Sequence, residues 1–190
     1  MMHQIVELEE MQEDSQAAVE NAAIASANET AALSWKKQVK HVHAGTGKAY
    51  WGPGNHMRFL VTGKETGDDF FMSEISVAPG GGPPPHIHHR EDESFYLIEG
   101  TLTIHVGEDT ITASCGDFVY LPRGIVHSFK NPGEVIARAL VLVTPANLEN
   151  FFAEVFDPAV DSFATPPSKE LIARSLAAAP RYGLELLPPA

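Results

Sequence analysis

The chain has 190 residues and a formal net charge of −12. Its length suits one domain with extensions, and its acidity argues against nucleic acid, whose phosphates it would repel. No apolar run is long enough to cross a membrane, and the one cysteine, Cys115, excludes an intramolecular disulfide and fits a reducing compartment.

Glu7, Glu9, Glu10, Glu13, Asp14, Glu20 and Glu29 fall within the first 35 residues, which contain no Lys or Arg. A secretory leader begins with the opposite charge, so a cytoplasmic location is expected. From Gln12 to Ala32 the composition is rich in Ala, Gln, Asn and Glu. Met11, Ala18, Val19, Ala22 and Ala23 make only a weak apolar stripe. Residues 1–34 read as an acidic N-terminal arm, helical or disordered, which a partner subunit would have to order.

From Trp35 short apolar runs alternate with Gly, Pro and Asn, the texture of an all-β domain. Strands are expected at Val39–Ala44 and Met57–Val61, with a turn at Gly52–Asn55 and a polar loop at Gly63–Asp69. Phe71, Ser73, Ile75 and Val77 alternate with Met72, Glu74 and Ser76, which gives a half-buried strand. Pro83, Pro84 and Pro85 cannot donate to a ladder, so the chain leaves the sheet there and reaches His86 with little slack. Further strands are expected at Ser94–Glu99, through Leu102, Ile104 and Val106, at Thr110–Ala113, at Phe118–Leu121 and at Glu134–Val143. Turns fall at Gly107–Asp109, Gly116–Asp117 and Pro122–Gly124. Cys115 is expected to be a small buried residue before the Gly116 turn.

Thr144–Pro145 suits a helix start. Leu148, Phe151, Phe152, Val155 and Phe156 then form an apolar stripe that Pro158 stops. The stripe packs on its own barrel or on a second subunit, and together with the arm it makes a homodimer the expected assembly. Ser168–Ala179 is a second short helix, capped by Ser168 and ended by Pro180. The domains are thus the arm at 1–34, a β-barrel with a flanking helix at 35–157, and a Pro-rich extension with a short helix at 158–190.

The chemistry concentrates in Gly80–Glu93. On an extended strand His86 and His88 point both imidazoles to one face, and Glu93, past a charged turn, can close on the same point. Two imidazoles and a carboxylate suit a borderline divalent metal and need at least one more ligand, which His127 offers. An HxH pair alone is weak, because nine histidines in 190 residues produce one by chance at roughly even odds. His41 and His43 form another such pair, with Lys48 where an acidic partner would sit. The second pair is distinguished by fixed spacing: Gly80, five residues, His86-x-His88, four residues, Glu93, six residues, Gly100. A second set follows: Gly116, five residues, Pro122-x-Gly124, two residues, His127, three residues, Asn131. His89, Arg90, Glu91 and Asp92 are expected to be solvated, and His56 and His105 to be strand or surface histidines.

These two sets match the paired motifs of the cupin superfamily, and the chain resembles a single-domain (cupin type-2) member of it. The resemblance covers Gly80–Asn131 in motif. It implies a double-stranded β-helix, a small jelly-roll-like antiparallel barrel, in which His86, His88, Glu93 and His127 hold one divalent ion: iron, nickel, manganese, zinc or copper. Strand parity places Phe95 and Leu97 beside Glu93 and Phe129 beside His127, so these three and Tyr120 are candidate pocket residues. The HxHxxxxE pattern, proline-rich approach and aromatic lining are similar to the quercetin 2,3-dioxygenase-like group. That resemblance implies attack of dioxygen on a flavonol-like or other enolisable phenolic small molecule, with Glu93 as both ligand and catalytic base. The same four ligands also serve isomerases, decarboxylases, lyases and non-catalytic binding modules, because fold does not fix function.

Overall fold

The computed structural model describes residues 39–52, 54–159 and 168–188, together with positions 16, 19, 21–24 and 26. The chain divides into two units, Met1–Val39 and Lys40–Ala190. In the first, positions 16, 19, 21–24 and 26 are helical and exposed, and Val39 is exposed and outside any helix; the rest of the expected acidic arm lies outside the described residues.

Among the described residues of the second unit, twelve strands form two antiparallel sheets. The strands are β1 (Ala49–Gly52), β2 (Asn55–Val61), β3 (Phe71–Val77), β4 (His86–His88), β5 (Asp92–Glu99) and β6 (Thr101–Val106). They continue as β7 (Asp109–Ser114), β8 (Phe118–Leu121), β9 (His127–Lys130), β10 (Ala137–Thr144), β11 (Asp157–Pro158) and β12 (Leu184–Leu186). One sheet runs β11-β1-β2-β3-β10-β5-β8 and the other β12-β4-β9-β6-β7. The core lies between their inner faces, and the expected all-β jelly-roll barrel is the fold observed. Period-two alternation explains it: β3 buries Phe71, Ser73, Ile75 and Val77, and β10 buries Ala137, Ala139, Val141 and Val143.

Several elements differ from the sequence reading. Val39–Ala44 is not a strand; the chain turns there, with Thr46 N–H donating to the His43 carbonyl at 3.0 Å, and β1 takes the neighbouring place against β2. The polar loop holds one helical turn, α1 (Gly63–Thr66), because the Glu65 carboxylate accepts from the Thr62 N–H and satisfies its start. The helix after β10, α2 (Leu148–Val155), starts after Asn147 and not at Pro145. Glu149 accounts for the later start, accepting from Asn147 N–H at 2.8 Å and from Gly63 N–H at 2.7 Å. The apolar face of α2 is covered by its own domain, with Leu148, Phe151 and Val155 buried in the common core.

The second helix, α3 (Lys169–Ala178), has the expected cap, Ser168 Oγ accepting from Leu171 N–H at 3.1 Å. It leads through a 3-10 turn (Ala179–Tyr182) into β12, a strand that the Pro-rich composition concealed. Cys115 is exposed, not buried; its thiol donates to the Ile98 carbonyl at the sheet margin.

Candidate metal centre

Three strands deliver the four candidate donors. In β4, Ile87 takes the outer face, so both histidines point inward. Glu93 is the second residue of β5, and His127 the first of β9. The ladders align them: His86 pairs with His127, while Glu93 lies between Val143 of β10 and Leu121 of β8. One donor atom from each of His86, His88, Glu93 and His127 falls within 4.8 Å of the others, and all four residues are buried. The His86 ring centroid is 4.3 Å from that of His127 and 5.0 Å from that of His88.

Backbone carbonyls aim two of the rings. His86 Nδ1 bonds the Pro84 carbonyl at 2.9 Å, and His127 Nδ1 bonds the Ile125 carbonyl at 3.0 Å. A carbonyl can only accept, so both rings carry a proton on Nδ1, and Nε2 is the nitrogen left for the centre. His127 Nε2 lies 3.2 Å from Glu93 Oε2. His88 Nδ1 is buried and has no hydrogen-bond partner among the described residues.

The charges follow from this crowding. Burial, reinforced by the neighbouring His127 and His88, depresses the His86 imidazole to about 3. Burial lowers His88 as well, against the pull of Glu93. For Glu93 burial acts upward, but the His127 hydrogen bond and the adjacent imidazoles outweigh it and hold the carboxyl below its ordinary range. Burial acts downward on His127, and the Glu93 bond overrides it and raises the ring. Three nitrogens and one carboxylate at this separation fit one borderline divalent ion, and the orphaned His88 nitrogen fits the same reading.

Residues 73–143 match the Cupin domain family. This stretch is a cupin domain. Among curated proteins the chain is similar to the tetracenomycin polyketide synthase protein TcmJ of Streptomyces glaucescens, 29% identical over 116 residues that cover 60% of this chain and 78% of TcmJ. It is also similar to quercetin 2,3-dioxygenase of Bacillus subtilis (strain 168), 30% identical over 106 residues, which are 55% of this chain but only 31% of that protein. Among solved structures, KdgF from Halomonas sp. superposes with a TM-score of 0.53 at 17% identity, covering 60% of this chain and 99% of that one, a likeness of fold.

Within the cupin barrel the candidate pocket residues separate. Phe95 and Leu97 are fully buried, and Phe95 meets Phe129 edge to face at 5.3 Å. Tyr120 is 53% exposed, which corrects its assignment as a pocket residue. In β8 Val119 and Leu121 point inward, so Phe118 and Tyr120 point outward. Sequence reading missed Leu121 and Val143, which flank Glu93; the parity of β8 and β10 carried the signal, but only the register names the neighbours.

The Glu91-Asp92 pair also differs from expectation. Glu91 is 2% exposed, and burial pushes its carboxyl up to about 7. Asp92 is engaged with Arg123, whose backbone N–H and guanidinium both donate to its carboxylate, holding it at about 2. That bond fastens the turn before His127 to the strand that carries Glu93. His89 is exposed and paired with Glu185 at 2.9 Å. His56 lies against Trp51, and His105 Nδ1 meets Thr110 Oγ1 at 3.0 Å; neither belongs to the donor group. Among the described residues no helix is long and apolar enough to cross a membrane.

Proposed function

We propose that the chain is a metal-dependent dioxygenase acting on a flavonol-like or other enolisable phenolic small molecule. The observation that carries this reading is the buried three-histidine, one-carboxylate cluster in a cupin domain whose relatives include a quercetin 2,3-dioxygenase. His86, His88, Glu93 and His127 would hold one divalent ion among iron, nickel, manganese, zinc and copper. Bound there, the ion supplies Lewis acidity toward the substrate oxygen and toward dioxygen.

The protein residues do the rest. Glu93 Oε2 accepts the proton of the substrate hydroxyl, which makes the substrate electron-rich. The carbonyls of Pro84 and Ile125 hold the imidazoles of His86 and His127 in one orientation throughout. Phe95, Leu97 and Phe129 keep the interior dry, so each charge interaction there is stronger than in water. The substrate supplies the electrons that reduce dioxygen, and both oxygen atoms end in the products.

A second reading is a cupin enzyme that works on its substrate without oxygen, because the fold does not fix the function. A homodimer in the cytoplasm is the expected setting in either case.

Metal analysis of the purified protein beside two variants tests the centre. His88→Ala should abolish stoichiometric metal and His89→Ala should retain it; the reverse would overturn the strand parity. Oxygen uptake by the protein loaded with iron, nickel or manganese, against a phenolic panel that includes quercetin, tests the chemistry. Consumption with phenolic substrates supports the dioxygenase, whereas product formed without oxygen consumption selects the second reading.

A further inference from the structure

We propose that the C-terminal strand β12 is part of the scaffold of the metal centre, a brace that positions His86 and His88. It rests on the metal-centre reading and is independent of the substrate. The donor strand β4 is only three residues long. On its inner side its register with β9 is the single pair His86–His127, supplemented by Gly124 N–H donating to the His88 carbonyl at 2.8 Å. On its outer side β12 runs along its whole length, pairing Leu184 with His88, Glu185 with Ile87 and Leu186 with His86.

The ladder continues past both ends of β4. His89 N–H donates to the Gly183 carbonyl, and Leu187 N–H donates to the Pro85 carbonyl, each at 2.8 Å. The two donor histidines therefore sit in the middle of a five-residue pairing whose other strand is the C-terminus. Without β12 this short strand would be a sheet edge held by one pair and the Gly124–His88 bond, and a donor must be held to within roughly half an ångström to serve a metal.

The brace is itself anchored. The Tyr182 hydroxyl donates to Glu154 at 2.7 Å, the Arg181 guanidinium bonds the same carboxylate, and the Tyr182 ring packs edge to face on Phe151 at 5.7 Å. These contacts fix the 3-10 turn to α2, which is seated in the barrel core. Arg90 crosses back from the end of β4, its guanidinium donating to the Arg181 carbonyl at 3.2 Å and its stem lying where any side chain at Gly183 would stand. Leu184, buried, fills the space beside His88. The segment lies outside residues 73–143, the stretch that matches the family.

If β12 positions the donors, metal binding must in turn stabilise β12, because coupling free energy is reciprocal. The test uses the full chain with cobalt(II) as probe, since its visible spectrum reports the ligand arrangement. Amide exchange at Leu187 and His89 should slow by tenfold or more on cobalt loading; unchanged exchange at both, in a protein that binds cobalt, would overturn the proposal. Glu185→Pro, which interrupts the ladder, should weaken cobalt affinity by roughly 10–100-fold and alter the cobalt spectrum. Glu185→Gln, which removes only the His89 ion pair, should leave both as in the parent. Wild-type affinity and spectrum in Glu185→Pro would also overturn it. A full chain that takes no cobalt would overturn the metal-centre reading, and this inference with it.

Discussion

Replacing Asn131 with alanine should cost stability without costing metal. Asn131 is 1% exposed, and its amide serves three backbone groups: Nδ2 donates to the Val77 carbonyl at 2.8 Å and the Val135 carbonyl at 2.7 Å, and Oδ1 accepts from Gly133 N–H at 2.9 Å. Alanine leaves the Val77 carbonyl buried without its side-chain donor, at about 2 kcal/mol, and removes two part-buried bonds worth about 0.5–1 kcal/mol each. The sum is about 3 kcal/mol, which lowers the midpoint of thermal unfolding by about 6–12 °C for a domain of this size. Urea unfolding at constant slope measures the loss, and metal analysis of the same sample should still find the parent stoichiometry, because Asn131 is not a donor. A loss below 1 kcal/mol would refute the bookkeeping of buried partners. Metal lost with stability unchanged would move Asn131 into the centre.

Gly82→Ala should be far more damaging than Gly80→Ala. Gly82 has φ 144° and a Cβ there would overlap the Phe129 carbonyl oxygen, whereas Gly80, at φ 72°, has nothing within 4 Å; urea unfolding should show about 1 kcal/mol for Gly80→Ala and several times that for Gly82→Ala. Glu65→Gln tests α1 and its pH dependence. Burial acts upward on Glu65, but its bonds to Lys40 and Thr62 hold the carboxyl at about 2 against an ordinary 4.5. An acid depressed in the folded state stabilises above its unfolded value, so this contribution is complete above pH 4.5 and is lost as pH falls toward 2. The partly exposed pair is worth about 1 kcal/mol after solvent screening, and stability curves of parent and variant should converge across that window.

What the sequence made legible is what period and spacing can carry. Alternation in β3 and β10 reports which residues face the core whatever the partners are, and the His86-x-His88 spacing reports that two imidazoles share a face. The losses occur where tertiary partners decide. Val39–Ala44 has strand-like residues, but β1 holds the place beside β2. Glu91 reads as one charge in an acidic run, yet it is buried. Tyr120 shares the parity of Phe118, and both face outward in β8, a facing that the pairing of β8 with β5 decides. β12 escaped because three residues beside prolines carry no periodicity, and a strand that short exists only through the partner that pairs with it.

The two spaced motifs are two legs of one closed loop of structure. At one end Gly80 N–H donates to the Asn131 carbonyl at 2.9 Å and Asn131 N–H donates to the Gly81 carbonyl at 3.0 Å. Gly82 then lies against the Phe129 backbone so closely that only glycine fits. At the other end His86 pairs with His127. One leg runs from Gly82 through three prolines to His86, and the other is β9, running back from Asn131 to His127. Proline fixes φ near −65°, so the first leg has little freedom to absorb a change in length. The same leg supplies the Pro84 carbonyl that orients His86, and the turn at the end of the second supplies the Ile125 carbonyl that orients His127. An inserted or deleted residue in either leg would shift one imidazole against the other by about 3.3 Å along a strand and reverse its facing. The spacing therefore carries as much of the site as the histidines do, and an HxH pair without it, such as His41 and His43, remains a contact between two rings.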